Sequence, residues 1–178
     1  MKQLKCLKNN KASDTKGLIA EILKAGGDYL VQVITSLFNS LLKVDSKIPE
    51  DWRSTVINVL FKKGDPQLPQ NYRPISILPI LYKLFGRVLR DRLKSYLSQA
   101  QSVDQAGFTL GFCCEDHLLV LTLVIEAYSE WNLEFWTAFI DFEKAFDSVE
   151  HVAMWEAMHT QGVPSEYIEL LQRIWSDQ

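Results

Sequence analysis

No apolar run in this chain reaches about 18 residues, so no membrane-spanning helix is expected. The N-terminus, Met1-Lys2-Gln3-Leu4-Lys5-Cys6-Leu7-Lys8, carries positive charge but no apolar core and no small-residue cleavage site, so no secretory signal is read there. Only three cysteines occur, Cys6, Cys113 and Cys114, in neither an even set nor a metal-ligand spacing. That usage fits a reducing, intracellular setting, nucleus or cytoplasm, and not a secreted protein. The three histidines, His117, His151 and His159, form no metal spacing either and are read as structural. No glycine-rich phosphate cradle ends in Lys-Ser/Thr, and no serine or cysteine stands in a nucleophile context. Repeats, low-complexity segments and clear linkers are also missing.

Basic residues are almost missing from the second half. Residues 101–178 hold 2 Lys/Arg against 14 Asp/Glu, whereas residues 1–100 hold 17 against 8. Such a division suggests a polyanion binder joined to a cation-binding site, or two solvated faces that neutralise each other. With 47% hydrophobic and 23% charged residues, the 178-residue chain can bury a core.

The pattern along the chain is mostly helical. Leu18, Ile19, Ile22 and Leu23 have helical spacing and end at Gly26-Gly27. Leu30, Val33, Ile34, Leu37, Phe38 and Leu41 share a face of a second helix. Residues 47–52 read as a punctuated loop, and residues 55–61 read as a β-branched strand. Helical spacing resumes from Leu81 to Leu97, and again from His117 to Tyr128 as a core helix. Residues 136–140 form an apolar run read as a buried strand ending at Asp141. Asp147 with Glu150 has capping-box spacing for the next helix, and a last helix spans Glu166 to Trp175. Few strands separated by helices indicate an α+β fold.

Four positions could carry chemistry. Asp141 at the mouth of an apolar strand is costly to bury without a partner. A Mg²⁺ ion is one such partner, and a helix N-terminus is the other. Lys62, Lys63 and Arg73 flank a strand and could grip a triphosphate, the lysines as point charges and Arg73 as a bidentate fork; simple solubility is the competing role. Phe146, read without context, is ordinary core.

Taken in order, the motifs resemble the reverse transcriptase of non-LTR (LINE-type) retrotransposons, from about Leu4 to Trp175. Phe139-Ile140-Asp141-Phe142-Glu143-Lys144-Ala145-Phe146-Asp147-Ser148-Val149 looks like the family's first catalytic motif. Asn71-Tyr72-Arg73-Pro74-Ile75-Ser76-Ile77-Leu78 resembles a fingers motif, and Gln105-Ala106-Gly107-Phe108 with Gly111-Phe112 the next. Ile48-Pro49-Glu50-Asp51-Trp52 and Phe61-Lys62-Lys63-Gly64-Asp65 fit the same pattern. The resemblance implies a right-hand polymerase fold, helix-rich with a small incomplete antiparallel sheet. Residues 1–50 would form a helical extension, 51–130 the fingers and 131–178 a partial palm.

It also implies roles. Asp141 would be the catalytic carboxylate and Mg²⁺ ligand of a two-metal deoxynucleotidyl transfer, with the Phe142 carbonyl beside it. Phe146 would be the gate that excludes a ribose 2′-hydroxyl. Arg73 and one of Lys62 or Lys63 would contact the incoming deoxynucleoside triphosphate. Gln105, Gly107 and Phe108 would lie at the RNA template, opposite a DNA primer. Membrane partners are not implied.

The sequence departs from the family at several points. Asp14-Thr15-Lys16-Gly17 stands where a Gly-x-Asp-Gly-like turn is usual. Thr109-Leu110 follows Gln-Ala-Gly-Phe, where Arg or Lys is usual, and Cys113-Cys114 replaces small polar residues. No Ala-Asp-Asp or Tyr-x-Asp-Asp occurs. This chain alone is therefore expected not to polymerise. A non-catalytic binder of RNA or RNA–DNA hybrid, or a relic without a selected role, are the alternative expectations.

Overall fold

The computed structural model describes residues 2–143 and 145–176; Lys144 of the expected catalytic motif and the last two residues of the expected partial palm lie outside them. Helices α1 (Lys2–Lys5), α2 (Ala20–Ala25) and α3 (Gly27–Leu41) precede a hairpin of β1 (Val56–Phe61) and β2 (Tyr72–Ile77). Helices α4 (Ile80–Ala100), α5 (Cys114–Glu130), α6 (His151–Thr160) and α7 (Ser165–Ser176) follow. The result is helix-rich with a two-stranded antiparallel sheet, matching the expected α+β class. No helix among the described residues is long and apolar enough to cross a membrane.

The core is built around α4. Leu84, Phe85 and Leu89 are buried on it, at the spacing of one helical face. They pack with Ile34, Phe38 and Leu41 of α3, with Ile48 and Trp52 from the loop before β1, and with Leu170 and Ile174 of α7. The Phe85 ring lies 5.0 Å from Phe38 and 5.4 Å from Trp52, centroid to centroid. Each such side chain contributes roughly 1.5–3 kcal/mol on burial. A smaller cluster of Leu93, Val163 and Ile168 joins α4 to the start of α7. The first and last helices thus share one core, although more than a hundred residues separate them.

Two expected elements differ. Residues 133–142 form no strand and are exposed throughout. A β-branched, aromatic run becomes a strand only when a neighbour pairs its N–H and C=O groups. Among the described residues the sole ladder is β1 with β2. The expected core helix at His117–Tyr128 does form, as part of α5, but none of its residues is buried. The Asp147–Glu150 capping box is not made either: Glu150 occupies the N-cap of α6 and its side chain makes no cap bond.

A capping box forms instead at α5. The Cys113 N–H donates to the Asp116 carboxylate at 2.7 Å, and the Cys113 side chain faces the Asp116 backbone in return. The Cys113 thiol is held above its ordinary pKa by its hydrogen bonds to Glu115 and Asp116. A cysteine here does the work of the small polar residue usual in the family. Serine is the better cap, so Cys113→Ser is expected to strengthen the first turn of α5 by about 0.5–1 kcal/mol. Amide exchange over residues 114–118 reads this directly; unchanged or faster exchange would refute it.

Candidate nucleotide and template site

The hairpin is where the expected triphosphate contacts gather. Register pairs Leu60 with Arg73 and Phe61 with Tyr72. The Lys62 N–H then donates to the Asn71 carbonyl at 2.8 Å, extending the ladder by one residue. Side chains alternate between faces along a strand, and directly opposed residues share a face. Lys62 therefore belongs to the face of Leu60 and Arg73. Lys63 lies in the bend beyond the last ladder bond, where strand alternation assigns it no face. Sequence alone left the two lysines equivalent; the count from the Leu60–Arg73 pair separates them.

The loop at the hairpin tip is ordered by its own polar groups. Asp65 accepts from the Gln67 N–H at 2.9 Å, the Asn71 amide donates to the Asp65 carbonyl at 2.8 Å, and the Tyr72 hydroxyl donates to the Pro66 carbonyl at 2.8 Å. Gly64 sits at φ +93°, and a Cβ there would lie 2.7 Å from the Asn71 amide nitrogen. Both constraints demand glycine at that turn.

The expected template loop is also self-bonded. The Gln105 carbonyl accepts from the Thr109 hydroxyl at 2.8 Å and from the Gln101 amide at 3.2 Å. The Gln105 amide donates to the Gly107 carbonyl at 3.2 Å. Ala106 is buried beneath the turn. Thr109, which replaces the usual cation, spends its hydroxyl inside the loop. Phe108 takes φ +60° and stands almost wholly exposed.

Its ring meets Phe146 edge to face, centroids 5.9 Å apart and planes at 84°. The structure thus joins the tip of the Gln-Ala-Gly-Phe loop to the expected catalytic motif. Phe146 is 81% exposed, so it is not the ordinary core residue that bare sequence suggests.

Asp141 and Phe142 lie in the exposed segment of residues 133–142, not at the end of a buried strand. Among the described residues, no group of three or more His, Cys, Asp or Glu is placed so as to hold a metal ion. One exposed carboxylate is too small a donor set for Mg²⁺, which needs several oxygens in near-octahedral array. The described residues do not by themselves fit the metal. A groove of about 810 Å³ lies elsewhere, along α4 and α7, and shares only Phe108 with the expected site residues.

Two side chains tie distant parts of the chain to its helices. Arg173 of α7 reaches the turn after α3, and Asp14 reaches the first residue of α4. The turn at Asp14 stands out in the sequence, but its bond to Ile80 and the reach of Arg173 do not, since both act across a long separation.

Comparison with known proteins agrees with the motif order. Residues 61–177 match the family described as reverse transcriptase (RNA-dependent DNA polymerase). The chain is 32% identical over 170 residues to the probable RNA-directed DNA polymerase from transposon X-element of Drosophila melanogaster, covering 92% of this chain and 18% of that protein. It is 33% identical over 129 residues to the RNA-directed DNA polymerase from mobile element jockey of the same species, covering 70% and 14%. An uncharacterized 149 kDa protein of transposon TX1 from Xenopus laevis matches at 26% identity over 97% of this chain and 13% of its own length. The chain therefore spans less than a fifth of these relatives. With the family match over well more than half its length, the chain belongs to the reverse transcriptase (RNA-dependent DNA polymerase) family and is of the non-LTR retrotransposon type.

Proposed function

We propose that this chain supplies the nucleotide- and template-facing front of an RNA-directed DNA polymerase. Residues 1–50 act as its helical extension, 51–130 as fingers and 131–178 as part of the palm. Arg73 and Lys62 hold the triphosphate of the incoming deoxynucleotide, and Lys63 does not. Phe146 gates the sugar, Gln105, Gly107 and Phe108 face the RNA template, and Asp141 with the Phe142 carbonyl belongs to the Mg²⁺ site. The observation that carries this reading is the Phe108–Phe146 contact, because it brings two motifs of separate expected roles to one place.

The lysine assignment gives the test. With a primed RNA template and a labelled deoxynucleoside triphosphate, Lys62→Ala and Arg73→Ala are each expected to weaken triphosphate binding about tenfold, the scale of one charge-assisted contact. Lys63→Ala is expected to change it less than about twofold, as an exposed charge does. Equal losses at Lys62 and Lys63 would reject the assignment. The 178-residue chain itself is expected to incorporate no nucleotide, since its described residues gather no metal-holding group. Incorporation that Asp141→Ala abolishes would overturn that statement.

A second reading, nucleic-acid binding without catalysis, is favoured by α4. Lys83, Arg87, Arg90 and Lys94 recur at the spacing of one helical face. A cationic stripe of that kind tracks a phosphate backbone, and its binding would fall steeply with salt.

A further inference from the structure

The hairpin and α5 each leave a large apolar surface uncovered. On β1, Val56, Ile57, Val59, Leu60 and Phe61 are all exposed, so both faces of the sheet meet solvent. On α5, Leu118, Leu119, Val120, Leu123 and Ile125 are exposed around the helix. A helix that is apolar on all sides normally lies inside a larger body. Exposed patches of this extent mark interaction sites.

The two surfaces carry opposite charge. Residues 53–77 hold Arg53, Lys62, Lys63 and Arg73 against Asp65 alone. Residues 95–143 contain no Lys or Arg at all. Around α5 this leaves Glu115, Asp116, Glu126, Glu130 and Glu134 without a neutralising neighbour in sequence. Opposite potentials select orientation and partner, while the apolar area supplies most of the affinity. Like charges disfavour hairpin-on-hairpin or α5-on-α5 contacts.

We propose that copies of this chain associate head to tail, the basic apolar hairpin of one copy on the acidic apolar α5 of the next. Such a contact is heterologous: the two patches differ, and each copy retains one of each. Association is then open-ended, and average mass keeps rising with concentration instead of stopping at a dimer.

Sedimentation velocity of the full 178-residue chain tests this. Lys62→Glu with Lys63→Glu, and separately Glu126→Lys with Glu130→Lys, are each expected to weaken association on the order of tenfold. All four positions are exposed, and circular dichroism checks that both variants stay folded. Mixing the two variants restores association, because each reversed patch then meets its opposite. A chain that stays monomeric overturns the proposal, as does one that stops at a symmetric dimer. Self-association indifferent to both reversals, or not restored on mixing, also overturns it.

Discussion

Arg173→Ala is expected to cost about 2–4 kcal/mol of folding stability, among the largest effects of any single polar change in this protein. The guanidinium leaves α7 and enters the turn that ends α3. Its Nη1, with two N–H bonds to share among them, lies 2.7 Å from the carbonyls of Lys43 and Val44, 3.1 Å from the Ser46 carbonyl and 3.0 Å from the Ser46 hydroxyl. Its Nη2 donates to the Leu41 carbonyl at 3.3 Å. The Leu41 carbonyl is the last of α3, one that no backbone donor in the helix can reach, and the others belong to the turn beyond it. A cation there also meets the negative end of the helix dipole. The full sum of five charged hydrogen bonds is not realised. Several of the carbonyls would regain water on truncation, and the Arg173 Nε–H is buried without a partner among the described residues.

The loss spreads because Leu170 and Ile174, on the same helix, fill the core beside α4. Without the clamp, α7 loses its anchor on the first fifty residues. Arg173→Lys should recover less than half of the loss, since an ammonium cannot fork to several carbonyls at once. Arg90→Ala, which removes an exposed 3.0 Å bridge to Asp91, should cost less than about 0.5 kcal/mol. Urea unfolding followed through tryptophan fluorescence distinguishes these. An Arg173→Ala protein within about 0.5 kcal/mol of the parent would refute the clamp.

Asp14→Ala is the second large effect, about 2–3 kcal/mol. The Asp14 carboxylate accepts from the Leu18 N–H at 2.9 Å, from the Lys16 N–H at 3.0 Å and from the Ile80 N–H at 3.0 Å. The first two bonds close the turn in which Gly17 takes φ +77°. The third caps α4, whose N-cap residue Pro79 offers no side-chain bond of its own. A carboxylate at the N-terminus of this long helix also meets its positive dipole end. The turn that departs from the usual Gly-x-Asp-Gly pattern thus still builds a turn, and ties it to the central helix.

The same bonds set a pH dependence. Partial burial pushes the Asp14 carboxyl up, but the N–H donors of Ile80, Leu18 and Lys16, with the charge of Lys83, outweigh it and hold it below the ordinary 3.8. A folded-state value below the unfolded one means that the stabilisation is complete above about pH 5. It is lost as pH falls through the lowered folded value. Stability of the parent should therefore decline more steeply below about pH 4 than that of Asp14→Asn, which has no charge to lose. Parallel acid unfolding curves would refute Asp14 as the group responsible.

Much of this protein could be read from its residues in order. Period-3.6 spacing located the helices from Leu18 to Trp175, and the β-branched run at residues 55–61 located β1. The motif order around Arg73, Gln105-Ala106-Gly107-Phe108 and Asp141 identified the family, because each motif is local and survives without its surroundings. Charge asymmetry was equally plain, since it needs only counting.

Tertiary structure decided what depended on partners. Whether residues 136–140 form a strand depends on a neighbour to pair with, and whether α5 is core depends on something to cover it. The Leu60–Arg73 register put Lys62 on the arginine's face, a fact about pairing that no single strand contains. The clamp of Arg173 and the bond from Ile80 to Asp14 were invisible for the same reason: the partners lie across folds of the chain, where residue spacing carries no signal.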